Sequence, residues 1–285
     1  MALSLFPKPA RLWASHRYRA WRESHDARGC DVMLLSRAKS GRTWLRAMLS
    51  RLYQQHYGLD EAQLIEFDNF HRQQKEVPIV YFTHGHYLRE RFASESWRRS
   101  FGKRKLLFLA RNPCDVAVSE YFQSTKRASV HKKELHGVDG EALSMFDFVM
   151  QAPVGLGSIV AYLNAWAPII AAHEPSMVVR YEDIRNSPTE VLMSIVEFLE
   201  APFSKDEVSG AVDFAAFENL KELERVNFFE NTRLTPADPD DPDSFKVRRG
   251  KVGGYTDYFD AEQVEEMESV VRAGLDSGFG YYPGA

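Results

Sequence analysis

At residues 36–44 the sequence reads SRAKSGRTW, the parts of a phosphate-binding loop set in unusual places. In the nucleoside-triphosphate loop GxxxxGK(S/T), glycines make the bends, the Lys meets the terminal phosphates and the hydroxyl meets magnesium. Laid on that pattern, Ser36 stands at the first Gly, Gly41 fits, Arg42 replaces the Lys and Thr43 supplies the hydroxyl. Lys39 sits three places earlier, inside the loop. An apolar run precedes these residues and a segment of helical period follows. Successive backbone amides can therefore turn toward one point, where the helix dipole adds partial positive charge. Gly41 permits the tight turn, Lys39 can reach over an anion and Thr43 can donate from the first helical turn. Such a loop is a cradle for phosphate or sulfate, with or without a metal.

A second group lies in RNPCDVAVSEY, residues 111–121. A triphosphate enzyme keeps an acidic side chain at a second strand end to hold its metal; LLFLARNP places Arg111 there instead. Arg111 offers a fork of donors and Ser119 a hydroxyl, a pair suited to a monophosphate. The competing reading pairs Arg111 with Asp115 and leaves Ser119 to solvent. A third group is VYFTHGHY, in which His84 and His86, two apart on a strand, point to the same face. Either can serve as a general base. A shared metal is the rival, but no third ligand stands near in sequence, and no metal is assigned. A fourth group is Lys246, Arg248, Arg249 and Lys251, which follows the acidic run PADPDDPD.

The elements that must position these groups are legible as four short apolar runs rich in β-branched and aromatic residues. They are Asp31–Ser36, Val77–Thr83, Lys105–Ala110 and Met177–Tyr181, separated by segments of helical period. That alternation predicts an α/β fold, with a central parallel sheet flanked by crossover helices and ligands gathered at one sheet edge. Trp44, Leu45, Met48, Leu49, Leu52 and Tyr53 make one apolar face of the helix after the loop. Further helices are expected at Pro113–Ser124, Ile159–Ala172, Pro188–Leu199 and Asp260–Leu275. Residues 125–140 and 231–252 read as irregular segments that can cover a site.

With 285 residues, 44% hydrophobic and 13% aromatic, the chain can bury a full core and is read as one domain over residues 1–285. A net charge of −4 argues against nucleic-acid binding, so any anion site is local. Two cysteines fit a reducing, cytoplasmic setting, and no membrane span is expected. Residues 1–30 form a basic stretch laced with apolar residues. It is read first as a helix packed on its own domain, with peripheral contact to an anionic membrane as the alternative.

Taken together, the loop and the RNP segment resemble the cofactor-binding regions of sulfotransferases that use 3′-phosphoadenosine 5′-phosphosulfate. AKSGRTW is similar to that family's PKSGTTW, and RNPCDVAVSEY to its RNPxDxxVSxY, with Arg111, Asp115, Ser119 and Tyr121 in register. YEDI at Tyr181–Ile184, FENL at Phe217–Leu220 and VRRGKVGGY at Val247–Tyr255, the last similar to RKGxxGxW, extend the resemblance over most of the chain. It implies a single P-loop-like domain. It implies that Lys39, Thr43 and the backbone of Ser40, Gly41 and Arg42 hold the 5′-phosphosulfate end of the co-substrate. The 3′-phosphate falls to Arg111, Ser119, Arg248, Arg249 and the backbone of Gly250. Trp44 and Phe217 sandwich the adenine, with Tyr181 at its edge. By register His84 is the catalytic base and Lys39 the catalytic cation.

Two positions depart from the family pattern. Phe82 stands where a Lys two residues before the His is common, and Arg42 stands where the family has Thr. Arg42 or Lys105 is the expected replacement for the missing charge. The implied reaction is sulfuryl transfer to a hydroxyl of a sugar, lipid or small molecule, leaving adenosine 3′,5′-bisphosphate. The basic run KRASVHKKELH hints at an anionic acceptor such as a glycan, a solvated surface being the commoner reading of such a run. A nucleotide-dependent kinase with a degenerate loop and a non-catalytic binder of adenosine bisphosphate stay open. The family's dimer motif is not visible, which leaves the oligomeric state open.

Overall fold

The structure is a computed structural model and describes residues 7–60, 69–138, 140, 143–229, 235–236, 238 and 240–282. Four strands form one parallel sheet: β1 (Val32–Ser36), β2 (Val80–Thr83), β3 (Lys105–Ala110) and β4 (Ser176–Arg180), in the order β2-β1-β3-β4. Every residue of β1 is buried, because the sheet is covered on both faces. Met33 and Leu35 point with Leu106 and Phe108 into one core, where Ile159 and Trp166 pack on them. Leu34, Leu107 and Leu109 point into the other, against Leu45, Met48 and Leu52. The period of two in a strand thus feeds two apolar layers.

The expected α/β architecture is therefore present, with local differences. The second strand starts later than Val77, because Pro78 has no N–H and the amide of Val77 closes a turn on Gln74 C=O (3.1 Å). Residues 125–140 are not an irregular loop. A π-helical turn covers Gln123–Arg127, and a helix covers Val130–His136. Ser129 caps that helix by accepting from the amide of Lys132 (3.3 Å), and Gly137 ends it in the left-handed conformation (φ 67). Both signals stand in the sequence.

The apolar stretch Met145–Ala172 is, by length and composition, sufficient to cross a membrane, contrary to the expectation. In the fold it is two helices, Met145–Gln151 and Leu156–Ala172. The second buries Leu156, Ile159, Leu163 and Trp166 beneath the sheet. The basic N-terminal segment forms α1 (Lys8–Arg28), while Leu5 and Phe6 lie outside the described residues. One face of α1 packs inward. Glu23 accepts from the Tyr87 amide (2.7 Å) and from the Thr83 hydroxyl at the end of β2. Trp13, Tyr18 and Trp21 remain exposed on the other face.

Two buried carboxylates fasten the C-terminal basic segment over the strand ends. Glu224, fully buried, accepts from the amides of Lys246 (2.7 Å) and Val247 (2.8 Å) and pairs with Arg127 (3.4 Å). Asp115 accepts from the amides of Gly253 (2.9 Å) and Tyr255 (3.1 Å). Replacing Glu224 by Gln removes the counter-charge of the buried Arg127 guanidinium and weakens this attachment. Urea unfolding is expected to record a loss of ~3 to 5 kcal/mol, the cost of breaking a buried pair from one side. A loss under ~1 kcal/mol would mean that the segment is held by other contacts.

Candidate active site

The loop after β1 enters α2 (Arg42–Tyr57) through two left-handed residues, Lys39 (φ 70) and Gly41 (φ 90). At Gly41 the absence of a side chain is a packing requirement as well: a Cβ there would lie 2.5 Å from the Tyr181 ring. The ladder of α2 begins with Trp44 and Leu45, whose amides both donate to Gly41 C=O (2.9 and 3.2 Å). The amides of Arg42 and Thr43 precede it and are available to an anion at the helix N-terminus. Ser40 does not line the cleft as expected. It is buried and its amide turns back onto Arg37 C=O (3.4 Å). Lys39 Nζ donates to Gln123 Oε1 (3.1 Å). Burial, with further lowering from Arg127, Lys132 and Arg111 against the opposing pull of Glu120, brings its pKa from 10.5 to about 8.

Arg111, at the end of β3, donates to Lys39 C=O (3.0 Å) and lies 4.3 Å from the centre of the Tyr181 ring. Its pairing with Asp115 exists but is long, 3.9 Å, since both Asp115 oxygens serve the amides of Gly253 and Tyr255. The anchoring role of Asp115 was not legible in the motif. Ser119 lines the cleft instead of facing solvent. Arg248 packs 3.9 Å over the Phe122 ring and donates to Tyr258 Oη; Arg249 pairs with Asp257 and donates to Tyr258 Oη (3.1 Å). Gly250 (φ 60) brings the backbone so near Phe217 that a Cβ would stand 2.6 Å from its ring.

Trp44 is fixed by a hydrogen bond from Nε1 to Ala215 C=O (2.7 Å) and by the edge of Tyr181 (centroids 5.6 Å apart). Trp44 and Phe217 share a neighbour that sequence reasoning missed: Arg185 Cζ is 5.5 Å from one ring and 5.9 Å from the other. Both aromatic rings thus border the same guanidinium. The only signal for Arg185 is its place one residue after YEDI.

His84 lies just beyond β2, beside the loop. Nδ1 is 2.9 Å from Ser36 C=O, which can only accept, so Nδ1 carries the hydrogen and Nε2 the lone pair. Arg42 Nη2 donates to that lone pair (2.9 Å). Burial first, then the charges of Arg42 and His86, hold the imidazole well below its usual pKa of 6.5, so it is neutral. Phe82 leaves no cation at its position, its ring being covered by Arg46 (4.4 Å). Lys105 cannot supply the charge, because it begins β3 at the far edge of the sheet and pairs with Glu200 (3.1 Å). Lys246, which the motifs did not single out for this place, lines the same cleft. Burial and then the charges of Lys39, Arg42 and Arg127 hold its ammonium well below 10.5. His84 and His86 stand with ring centroids 5.6 Å apart, and among the described residues no three metal-ligating side chains converge.

These residues share one cleft of about 420 Å³, within the ~300 to 1,000 Å³ usual for small-molecule sites. Its cations far outnumber its two carboxylates, Asp115 and Glu120. A nucleotide bearing phosphate at two positions suits this donor set. Two glycine approaches give its backbone access, paired aromatics can hold a base, and Arg111 keeps a buried Nε without a partner.

Residues 30–278 match the family described as "Sulfotransferase domain". Mouse "Sulfotransferase 1B1" is 30% identical over 170 residues, 60% of this chain and 54% of that protein. The "3-alpha-hydroxysteroid sulfotransferase" of Cavia porcellus is 25% identical over 254 residues, 85% of this chain and 82% of that protein. The fold is similar to that of mouse sulfotransferase SULT7A1 complexed with PAP, with a TM-score of 0.58, 18% identity and coverage of 86% of this chain and 84% of that one. With the loop, the arginines and the aromatic walls assembled in one cleft, the chain belongs to the sulfotransferase domain family and is an enzyme that takes its sulfuryl group from 3′-phosphoadenosine 5′-phosphosulfate.

Proposed function

We propose that this cleft moves the sulfuryl group onto an acceptor hydroxyl with His84 as general base and Lys39 as the cation at the breaking bond. The observation that carries the reading is the state of His84: neutral, with Nδ1 fixed on Ser36 C=O and the Nε2 lone pair facing the loop that holds Lys39 and Arg42. The acceptor oxygen forms a bond to sulfur as its proton passes to Nε2. The bond from sulfur to the bridging oxygen breaks, and adenosine 3′,5′-bisphosphate leaves. Lys39 and the amides of Gly41, Arg42 and Thr43 offset the charge that gathers on that oxygen, the kind of term that contributes most when donors are already placed.

The 3′-phosphate goes to Arg111, Ser119, Arg248, Arg249 and the Gly250 amide. Adenine goes between Trp44 and Phe217, a contact worth ~1 to 3 kcal/mol per base, with Arg185 displaced from the slot and Tyr181 alongside. Arg42 exchanges His84 for the incoming sulfate and so uncovers Nε2. Lys246 takes the role that Phe82 leaves empty. Cys30 and Cys114, both buried free thiols, suit a reducing, cytoplasmic location.

The direct test is incubation with labelled phosphosulfate donor and a panel of hydroxyl compounds, with products identified by mass spectrometry. His84→Ala is expected to lower turnover by roughly 10²- to 10⁴-fold, as loss of a general base does, with affinity for adenosine 3′,5′-bisphosphate close to wild type. Equal turnover in the two proteins would remove His84 from the mechanism. Lys39→Ala should cost ~100-fold or more in kcat.

Arg111→Ala should reduce the preference for a 3′-phosphate over a 3′-hydroxyl by roughly 10- to 100-fold. A preference retained at the wild-type ratio would move the 3′-phosphate elsewhere.

The Lys39 ammonium, at about 8 in the free protein, is favoured in its charged form by a bound anion. Nucleotide binding is therefore expected to take up protons at pH 9, where free Lys39 is largely neutral, and few at pH 7, where it is already charged. Calorimetry in buffers of different ionisation enthalpy reads this uptake, and Lys39→Met should diminish it. Equal uptake in the variant would assign the proton to another group, Lys246 first.

A further inference from the structure

Beyond His84 the cleft continues into a part that the nucleotide-binding residues do not use, and its charge is of one dominant sign. Arg37 follows β1, Arg19 comes from α1, His86 follows β2, and Lys132 and His136 come from the helix Val130–His136; all line the cleft. Arg37 is the built element among them. It is 6% exposed, its Nε is buried without a hydrogen-bond partner, and no ion pair reaches it among the described residues. Its guanidinium stands 5.9 Å from the Tyr162 ring, and Tyr162 Oη donates to the carbonyl of His84 itself (2.7 Å). The His86 ring is 5.9 Å from the same Tyr162 ring. One aromatic side chain thus ties Arg37, His84 and His86 into a single wall. Among the described residues lining this side Glu120 is the one carboxylate; it lies 3.9 Å from His136 and also bears on Lys39.

A buried guanidinium without a counter-ion is costly to keep unless a ligand supplies the partner. An apolar acceptor cannot do that, because it would leave Arg37 dry and unpaired. We propose, resting on the reading of His84 as the base, that the acceptor is a hydroxyl compound carrying a carboxylate, sulfate ester or phosphate ester, and that Arg37 binds this anionic group. The hydroxyl is then presented to His84 Nε2 while the anion is held one side chain away. Arg19 and Lys132, long cationic side chains that line this part of the cleft, steer an anion inward without needing fixed geometry.

The test uses matched pairs of phenols that differ only in a distal group: neutral amide, carboxylate, sulfonate or phosphate. Wild-type kcat/KM is expected to favour an anionic member over the neutral one by roughly 30-fold, the scale of one charge-assisted hydrogen bond made away from water. Arg37→Gln should bring that ratio near one through the KM for acceptor, and Arg37→Lys should restore part of it. The comparison among the three anions separates carboxylate, sulfate-like and phosphate sources.

The same pairs are titrated into protein saturated with adenosine 3′,5′-bisphosphate, a readout that needs no turnover. An anion preference in binding that Arg37→Gln abolishes supports the proposal even if turnover fails, in which case it is the chemistry at His84 that falls. No preference in wild type, or a preference unchanged in Arg37→Gln, overturns it. So does a rise in KM for the phosphosulfate donor alone, which would place Arg37 on the transferred group. Affinity for adenosine 3′,5′-bisphosphate within about threefold of wild type serves as the check that the variant is folded.

Discussion

The rest of the structure depends on one electrostatic constraint: a chain with net charge −4 gathers a group of cations in one cleft at the sheet edge, with few carboxylates facing them. Burial of these groups and, after it, their mutual repulsion have visible consequences. Lys39 and Lys246 are pushed toward their neutral forms, and Arg42 rests on the lone pair of a histidine. The acids that are present do not chiefly neutralise the cleft. Asp115 and Glu224 spend their oxygens on backbone amides at the two ends of residues 246–255, so they set where Arg248, Arg249 and Gly250 stand while leaving much of the cleft's charge for a ligand. Buried carboxylates are tolerable in that role because several N–H donors satisfy each of them.

How much of this was legible in the sequence follows from which interactions are local. The strand ends, the loop, the RNP helix and the left-handed Gly41 are set by neighbours within a few residues, and those readings agree with the fold. The helix Val130–His136 was equally local, announced by Ser129 and Gly137, and was obscured by the density of charge between them. Arg185 and Lys246 were illegible for another reason. Their place in the cleft depends on the crossover that sets β4, and YEDI directly after it, beside β3, and on a strap anchored by Glu224, and neither leaves a periodic trace. The appeal to Lys105 failed on topology. In a parallel sheet the first and last residues of a strand lie at opposite edges, so nearness in sequence to Arg111 places Lys105 away from the chemistry.

The departure at Phe82 has the same lesson in reverse. A charge that the family motif carries two residues before the histidine is absent from the strand, and the ring that replaces it is covered by Arg46. Groups able to carry positive charge beside a bound anion nevertheless reach the cleft from two other directions, α2 through Arg42 and the C-terminal strap through Lys246. What the site conserves physically is a field at a point in space, and a field can be supplied from any element whose side chain reaches it. Motif register is thus a good guide to backbone amides, which must come from one loop, and a weaker guide to ammonium and guanidinium groups.

In the proposed reaction, with His84 as the base, the same field sets its basicity. Cations around His84 make its neutral form secure and at the same time make it a poor proton acceptor, since a proton taken up would join an already positive cluster. Entry of a highly anionic co-substrate changes both terms. On that reading the anion draws Arg42 toward itself and lowers the local potential, so that an imidazolium formed on proton transfer would be stabilised by the charge just brought in. Basicity at Nε2 then rises only when the group to be transferred is in place. An acceptor arriving alone meets a histidine that is capped by a guanidinium and weak as a base, which limits unproductive proton transfer before the co-substrate is bound.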